Sequence, residues 1–176
     1  MQNIFVGMLF VFFNFNLHIG SATIGLIPNF VGYMFMAKGV AELAGYSAWF
    51  RQVRPLIIGM GIYTGIVYGI ELFGGFSSYP LIVLLALVAT VFSFIISYHI
   101  VMGIRDIERE KGQDLNADRL CATWKLLLVC TAIAFLLQYI LLLGIFAILI
   151  AFVLSAYYLY VFYQSKQLFY QQNPAG

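Results

Sequence analysis

The sequence predicts an all-α protein, a polytopic membrane bundle of six transmembrane helices with both termini in the cytoplasm. Composition is the first observation, since 63% of the 176 residues are hydrophobic and only 9% are charged. Soluble domains carry about 25% charged residues, so this chain lacks the polar surface needed to face water. The other two observations are the lengths of the apolar runs and the placement of the basic residues. Together they predict one integral membrane domain over residues 1–176.

Six apolar segments approach or reach the roughly 17–25 residues that a helix needs to cross a hydrocarbon core about 30 Å thick. The last two share one nearly continuous apolar run, Leu126–Tyr163, which is about twice too long for one crossing. We expect it to turn back near Gln138–Gly144. Backbone groups in lipid must be satisfied within the segment, so the spans should be helical. The predicted spans are Ile4–Ile19, Asn29–Ser47, Pro55–Leu72, Pro80–Ile104, Leu120–Gln138 and Gly144–Gln164.

The basic residues orient this arrangement. The first, third and fifth connections between the predicted spans carry no Lys or Arg. Cytoplasmic loops are enriched in Lys and Arg, and six helices with both ends in the cytoplasm put every basic residue on that side. Trp49 and Trp124 fall at the same boundary, as interfacial aromatic residues do. The basic residues are Lys38, Arg51, Arg54, Arg105, Arg109, Lys111, Arg119, Lys125 and Lys166.

The first apolar segment also invites comparison with a signal peptide. Gly20-Ser21-Ala22 resembles a small-residue cleavage site, but the leading residues "MQN" contain no Lys or Arg. We therefore expect the segment to be retained as a helix. A small, uncharged loop, "GSATIGL", would follow it outside the cell.

Several functional classes receive no support from the sequence. Cys121 and Cys130 are too few for a disulfide framework or a zinc site. The formal net charge of +2 gives no basis for nucleic-acid binding. Phosphate-binding glycine loops and the common catalytic motifs are absent from the sequence. We predict a non-enzymatic protein without a cofactor or metal.

Small residues recur on the predicted third helix, where Gly61, Gly65 and Gly69 form a G-x-x-x-G-x-x-x-G ladder. Helices in lipid associate through close packing at small residues, so this ladder predicts a helix-packing face. Packing within one bundle is favoured over a homodimer seam. The same spacing occurs at Ala37, Ala41 and Gly45, and again at Ala147, Ala151 and Ser155.

The predicted cytoplasmic connection, residues 105–119, is the most polar part of the chain. Its charges sum to −1, from four basic and five acidic residues, whereas lipid-binding patches need several uncompensated basic residues. We interpret it as a solvated hinge, with docking of a partner as the alternative. Gly112 should end the preceding helix, and Asn116 should cap the next one, with Leu115 packing on Leu120.

Polar residues near the outer ends of the helices are the candidate ligand-binding groups. On a helix, Asn14, His18 and Ser21 would share one face. Polar side chains in a bilayer usually face the bundle interior or a water-filled cavity, which predicts an outward-facing vestibule. Hydrogen bonds between helices, without any ligand, are the alternative. The candidates are Asn14, His18, Ser21, Asn29, Thr64, Tyr68 and Glu71.

The segment Gly25–Pro55, "GLIPNFVGYMFMAKGVAELAGYSAWFRQVRP", resembles a hairpin shared by a group of small uncharacterised bacterial multi-pass membrane proteins. Their pattern is a Pro, an Asp or Asn, a Phe and a hydrophobic-Gly-Tyr run, followed by a turn and a basic pair. Here Asn29 stands where Asp is expected and Val40 where Leu is expected. No activity is attached to the group, so the resemblance implies a bacterial cell membrane location and no residue roles.

Two functions therefore compete. The first is a small-solute binding or transport component that works through the vestibule, with six helices in a chain about as long as the substrate-binding subunits of vitamin importers. The second is an accessory protein that holds another membrane protein through its glycine-rich helix faces and the Arg105–Arg119 connection. The expected partners are the lipid bilayer and either a small solute or that second protein, without nucleic acid.

Overall fold

The computed structural model describes residues 1–12, 16–19, 22–25, 28–74, 78–137 and 141–173, and within them the fold is mainly helical. The described elements are, in chain order, α1 (Gln2–Phe12), β1 (Asn16–Ile19), β2 (Ala22–Gly25), α2 (Asn29–Leu43), α3 (Ala48–Leu72), α4 (Tyr79–Lys111), α5 (Ala117–Leu137) and α6 (Leu141–Gln172).

Three of these helices, α3, α4 and α5, are long and apolar enough to cross a membrane. This agrees with the predicted class of membrane helical protein. α6 has 32 residues, whereas α1 has 11 and α2 has 15. At 1.5 Å per residue α1 and α2 are about 16 and 22 Å long, less than the hydrocarbon thickness of about 30 Å. Six crossings and their orientation therefore stay a prediction.

The predicted first helix, Ile4–Ile19, is wrong at its last four residues. Residues Asn16–Ile19 form β1 instead, which pairs antiparallel with β2, and the other described elements are helices, in agreement with the predicted helical class. Asn has a low helix propensity, and the two strands are separated by the dipeptide Gly20-Ser21, a sequence typical of two-residue hairpins. That dipeptide is the signal that the helical interpretation missed.

Other boundaries also differ from the prediction. α3 begins at Ala48 rather than Pro55, because the Ser47 hydroxyl caps it by accepting a hydrogen bond from the Trp49 N–H at 3.2 Å. Pro55 therefore lies inside the helix. α2 ends at Leu43, before the predicted Ser47. The connection predicted over 105–119 is helical except for 112–116, since α4 continues to Lys111 and α5 begins at Ala117.

The chain divides into two compact units, residues 1–100 and 101–176, with the division inside α4. In the first unit α1 packs on α2 and α2 packs on α3. Large side chains from all three helices are fully buried there and form the core. They include Ile4, Met8, Tyr33, Val40, Phe50 and Ile57.

α1 and α2 approach each other closely at two glycines. A Cβ built on Gly7 would lie 2.5 Å from the carbonyl oxygen of Gly32, and one on Gly39 would lie 2.7 Å from the backbone nitrogen of Ile4. These distances are too short for any side chain, so glycine is required at both positions. The Ala37 and Ala41 spacing proposed from the sequence is not the closest face of α2.

The glycine ladder of α3 faces α2 more loosely. A Cβ on Gly61 would lie 3.4 Å from the Cβ of Tyr33, and one on Gly65 would lie 3.8 Å from the Cβ of Phe30. A Cβ on Gly69 would have no heavy atom within 4 Å among the described residues. Gly61 and Gly65 therefore lie against α2 at ordinary contact distances, whereas Gly69 has no such neighbour among the described residues.

In the second unit α5 packs on α6, and the buried residues lie toward the polar ends of the helices. Within the connection, the Glu108 carboxylate accepts hydrogen bonds from the N–H groups of Leu115 at 2.8 Å and Ala117 at 3.0 Å. Asn116 immediately precedes α5, as predicted, with a φ of 60° that Asn tolerates. The capping carboxylate at the first N–H of α5 nevertheless comes from Glu108. The buried residues include Ile104, Ile107, Leu115, Leu120, Tyr158 and Phe162.

Candidate polar site

Most of the predicted polar residues that the structure describes lie at one end of the first unit. We call this end, formed by the β1–β2 hairpin, the beginning of α2 and the last turns of α3, the hairpin end. α1 ends at Phe12, the β1–β2 hairpin follows, and α2 begins at Asn29. The rings of Phe30 and Tyr68 lie 5.9 Å apart, so the beginning of α2 lies beside the last turns of α3. Connectivity therefore brings the hairpin, Asn29 and the end of α3 to the same end of this unit.

The structure describes only part of the predicted first-helix stripe. Asn14 and Ser21 lie outside the described residues. His18 lies on β1, opposite Thr23 of β2. The prediction that His18 projects from a helix face is therefore wrong, because side chains alternate between the two faces of a strand rather than following a 3.6-residue period.

Asn29 carries the clearest unmet chemical need at the hairpin end. Its side-chain oxygen Oδ1 is buried and accepts no hydrogen bond from the described residues. A buried acceptor without a donor costs about 1–3 kcal/mol. An N–H or O–H group delivered from outside the described chain would remove that cost.

The three predicted α3 residues differ in what they can offer. The Thr64 hydroxyl donates to the carbonyl oxygen of Met60 at 2.7 Å, one helical turn earlier, so it is already satisfied. Tyr68 places its ring against Phe30 and is half-buried. Glu71, three residues further along α3, is exposed. Asn29, Tyr68 and Glu71 have more hydrogen-bonding capacity left for a ligand than Thr64, whose hydroxyl proton is already used within α3.

An aromatic cluster at residues 49, 98 and 99 was not foreseen as a unit. The ring of Trp49 lies 5.4 Å from that of His99 and 6.1 Å from that of Tyr98, both at steep angles. His99 also directs Nδ1 at the carbonyl oxygen of Ile95, 2.8 Å away. Its sequence signal was a Trp at the beginning of α3 and a Tyr-His pair in α4. Edge-to-face packing of this kind stabilises a helix pair.

Metal binding finds no support in the described ranges, where no group of three His, Cys, Asp or Glu side chains could hold an ion. No family model matches this chain, and no curated protein or solved structure matches it. The interpretation of the hairpin end therefore rests on the chain's own residues.

Proposed function

We propose that this chain is a multi-pass protein of the bacterial cell membrane, with both termini in the cytoplasm, that binds a small polar solute at the hairpin end. The observation that carries the proposal is the buried Oδ1 of Asn29, which has no hydrogen-bond donor among the described residues. The residues of the site are Asn29, Tyr68 and Glu71. Binding or transport of the solute would require no covalent chemistry.

Membrane placement is supported by the surfaces of the three long apolar helices. Large apolar side chains project outward along them, such as Ile62 at 61% exposure, Leu84 at 55% and Leu136 at 73%. Exposed apolar surface on this scale is stable in lipid and not in water. The one-sided distribution of Lys and Arg and the resemblance of Gly25–Pro55 to bacterial multi-pass proteins support the orientation and the location.

The chemistry of the hairpin end selects a class of solute. The amide oxygen of Asn29 and the carboxylate of Glu71 both accept hydrogen bonds, and the Tyr68 hydroxyl can accept or donate. A solute that carries several N–H or O–H groups would satisfy them. Amides, amino acids and sugars have such groups, whereas purely anionic solutes would meet the Glu71 carboxylate.

The accessory-protein alternative has less support. It depends on the 105–119 connection and on glycine-rich faces that remain open for a partner, and Gly61 and Gly65 already lie against Tyr33 and Phe30 of α2. Gly69 alone does not make a helix seam, because close approach needs small residues over successive turns.

A thermal-shift screen of the purified protein tests the solute proposal. Neutral sugars, amino acids and small amides would each be added at several concentrations. A solute present at a hundred times its Kd stabilises the protein by about 2.7 kcal/mol, which raises Tm by several degrees. We expect at least one class to do so, and expect Asn29→Leu to abolish the shift.

Thr64→Val is the matched control, because the Thr64 hydroxyl is already bonded to its own helix. It should keep the solute response. If no class raises the Tm of the unmodified protein, or if Asn29→Leu responds as strongly as Thr64→Val, the solute site is not at Asn29.

A further inference from the structure

Arg119, near the beginning of α5, is held by neutral groups although its neighbourhood is rich in charge. Arg105 pairs with Asp118 at 3.2 Å, which neutralises both. Arg119 instead donates to the Tyr157 hydroxyl at 2.9 Å and to Oε1 of Gln164 at 3.4 Å. Among the described residues, no carboxylate lies within ion-pair distance of it. The near-neutral sum of the 105–119 charges therefore does not mean that the Arg119 guanidinium is paired with a carboxylate.

The groups around Arg119 can still donate hydrogen bonds that no described residue accepts. Gln164 donates from Nε2 to the Tyr160 hydroxyl at 3.0 Å, and Tyr157 accepts from Arg119. Each hydroxyl that accepts a bond still has its own proton to donate, and a guanidinium has five N–H donors, of which two are used here. We call Arg119, Tyr157, Tyr160 and Gln164 the Arg119 cluster. It presents one positive charge and several donors, which is the chemistry that recognises an oxyanion.

The Arg119 cluster lies next to the exposed apolar surfaces of α5 and α6. Tyr157 and Tyr160 are 39% and 54% exposed. Val153, four residues before Tyr157 and therefore about 6 Å along the helix, is 64% exposed. On α5, exposed apolar surface begins at Leu126, which is 49% exposed. The cluster thus lies just outside the apolar surface, at the level where lipid headgroups meet the hydrocarbon core.

We propose that the Arg119 cluster binds a phosphate group at the membrane surface and that an anionic lipid headgroup supplies it. The planar fork of Arg matches phosphate oxygens with two parallel N–H bonds, and the hydroxyls of Tyr157 and Tyr160 can donate to further oxygens. The inference rests on the membrane placement of α5 and α6 and is independent of the solute site at Asn29. A free phosphate ester offers the same chemistry, so the test must separate the two sources.

Native mass spectrometry of the full chain in detergent, with added lipid, measures this binding. Phosphatidylglycerol should bind more tightly than phosphatidylcholine of the same chain length. Arg119→Gln should weaken phosphatidylglycerol binding by about tenfold, the loss expected for one charge-assisted hydrogen bond. Arg105→Gln removes the same charge from a residue already paired with Asp118, and should leave the binding within about twofold.

Two soluble probes, inorganic phosphate and glycerol 3-phosphate, distinguish the source. If they raise the Tm of the protein and displace phosphatidylglycerol at millimolar concentration, the ligand is a soluble phosphate and the lipid part of the proposal is wrong. If neither does so while the lipid binds, the headgroup at the membrane surface is the ligand.

Equal losses in Arg119→Gln and Arg105→Gln would overturn the proposal, because the effect would then be general charge attraction. If Arg119→Gln does not fold, Tyr160→Phe decides, since it keeps the guanidinium and removes one hydroxyl donor of the Arg119 cluster. A loss of about fivefold, the equivalent of one neutral hydrogen bond, supports the site, and an unchanged affinity rejects it. Asn29→Leu should bind phosphatidylglycerol like the unmodified protein. The lipid measurement can therefore be interpreted even if the solute proposal fails.

Discussion

Gly7 and Gly32 meet at the crossing of α1 and α2, where a Cβ on Gly7 would lie 2.5 Å from the carbonyl oxygen of Gly32. The reciprocal Cβ on Gly32 would lie 2.8 Å from the carbonyl oxygen of Gly7. Both obstacles are backbone atoms, which a side-chain rotation cannot remove. The crossing of α1 and α2 therefore requires glycine at both positions.

Gly7→Ala should destabilise the protein by about 1–3 kcal/mol, the usual cost of forcing atoms into a packed contact. Gly59→Ala is the matched control, because a Cβ there meets no heavy atom within 4 Å among the described residues. The control should be neutral or slightly stabilising, since Ala favours helix over Gly by about 1 kcal/mol. Thermal unfolding in detergent measures both. Equal Tm values for the two variants would show that α1 does not pack on α2 in this way.

The α3 ladder gives a graded prediction. Gly65→Ala should be tolerated, because its Cβ would make an ordinary contact at 3.8 Å with Phe30. Gly65→Leu should lower Tm, since the longer side chain would drive α2 away, whereas Gly69→Leu should not. The same unfolding assay compares the three variants. A Gly69→Leu variant as unstable as Gly65→Leu would indicate that a contact beyond the described residues covers Gly69.

Glu108 closes the connection between α4 and α5. Glu108→Ala should cost about 1–2 kcal/mol, because the N–H groups of Leu115 and Ala117 lose their shared acceptor. Limited proteolysis should then cut within residues 112–116 faster than in the unmodified protein. Glu110→Ala removes an equally charged but exposed side chain of α4 and should change neither Tm nor cleavage. Cleavage at the same rate in both variants would count against the cap.

The proposed orientation can be tested by labelling single cysteines in intact cells, after Cys121→Ala and Cys130→Ala. Ser78→Cys, just before α4, should react with a membrane-impermeant maleimide, and Glu110→Cys, near the end of α4, should not. Both positions are exposed in the structure, so accessibility to the reagent depends on the side of the membrane. The reverse labelling pattern would invert the topology.

Composition and charge placement were enough to predict the long apolar helices, because hydrophobicity over 20 residues dominates the free energy of insertion into a bilayer. The competition between helix and strand over a few residues was harder to predict. At Asn16–Ile19 and Ala22–Gly25 the apolar character suits a helix, but a two-residue Gly-Ser connection favours strand pairing. Hydropathy does not distinguish these outcomes, which is why the first helix was predicted too long.

Close contacts and polar pairings depend on three-dimensional placement. Gly7 and Gly32 carry no G-x-x-x-G pattern, since they lie on different helices, and only the crossing of α1 and α2 reveals them. Likewise Arg105 and Arg119 look alike in the sequence, yet the first is paired with Asp118 and the second is held by Tyr157. Of the predicted site, Asn29 was recognised as polar but not as an unsatisfied acceptor.

Tyr33 links α2 to α4 through a hydrogen bond of 2.8 Å between its hydroxyl and that of Ser93. Ser93 also donates to the carbonyl oxygen of Ala89 at 2.7 Å, so the shared proton in the pair comes from Tyr33. The Tyr33 side chain is only 2% exposed, which leaves no water to replace a lost partner.

Tyr33→Phe should therefore cost about 1 kcal/mol of folding stability, the net value of one such bond. Ser93→Ala should cost more, because it strands the buried Tyr33 hydroxyl, and the double variant should be no less stable than Ser93→Ala alone. Thermal unfolding of the four proteins completes the double-mutant cycle, with Thr90→Val, an exposed hydroxyl bonded only within α4, as the control. Strictly additive losses would mean that the two hydroxyls do not interact and that α4 is held to α2 by other contacts.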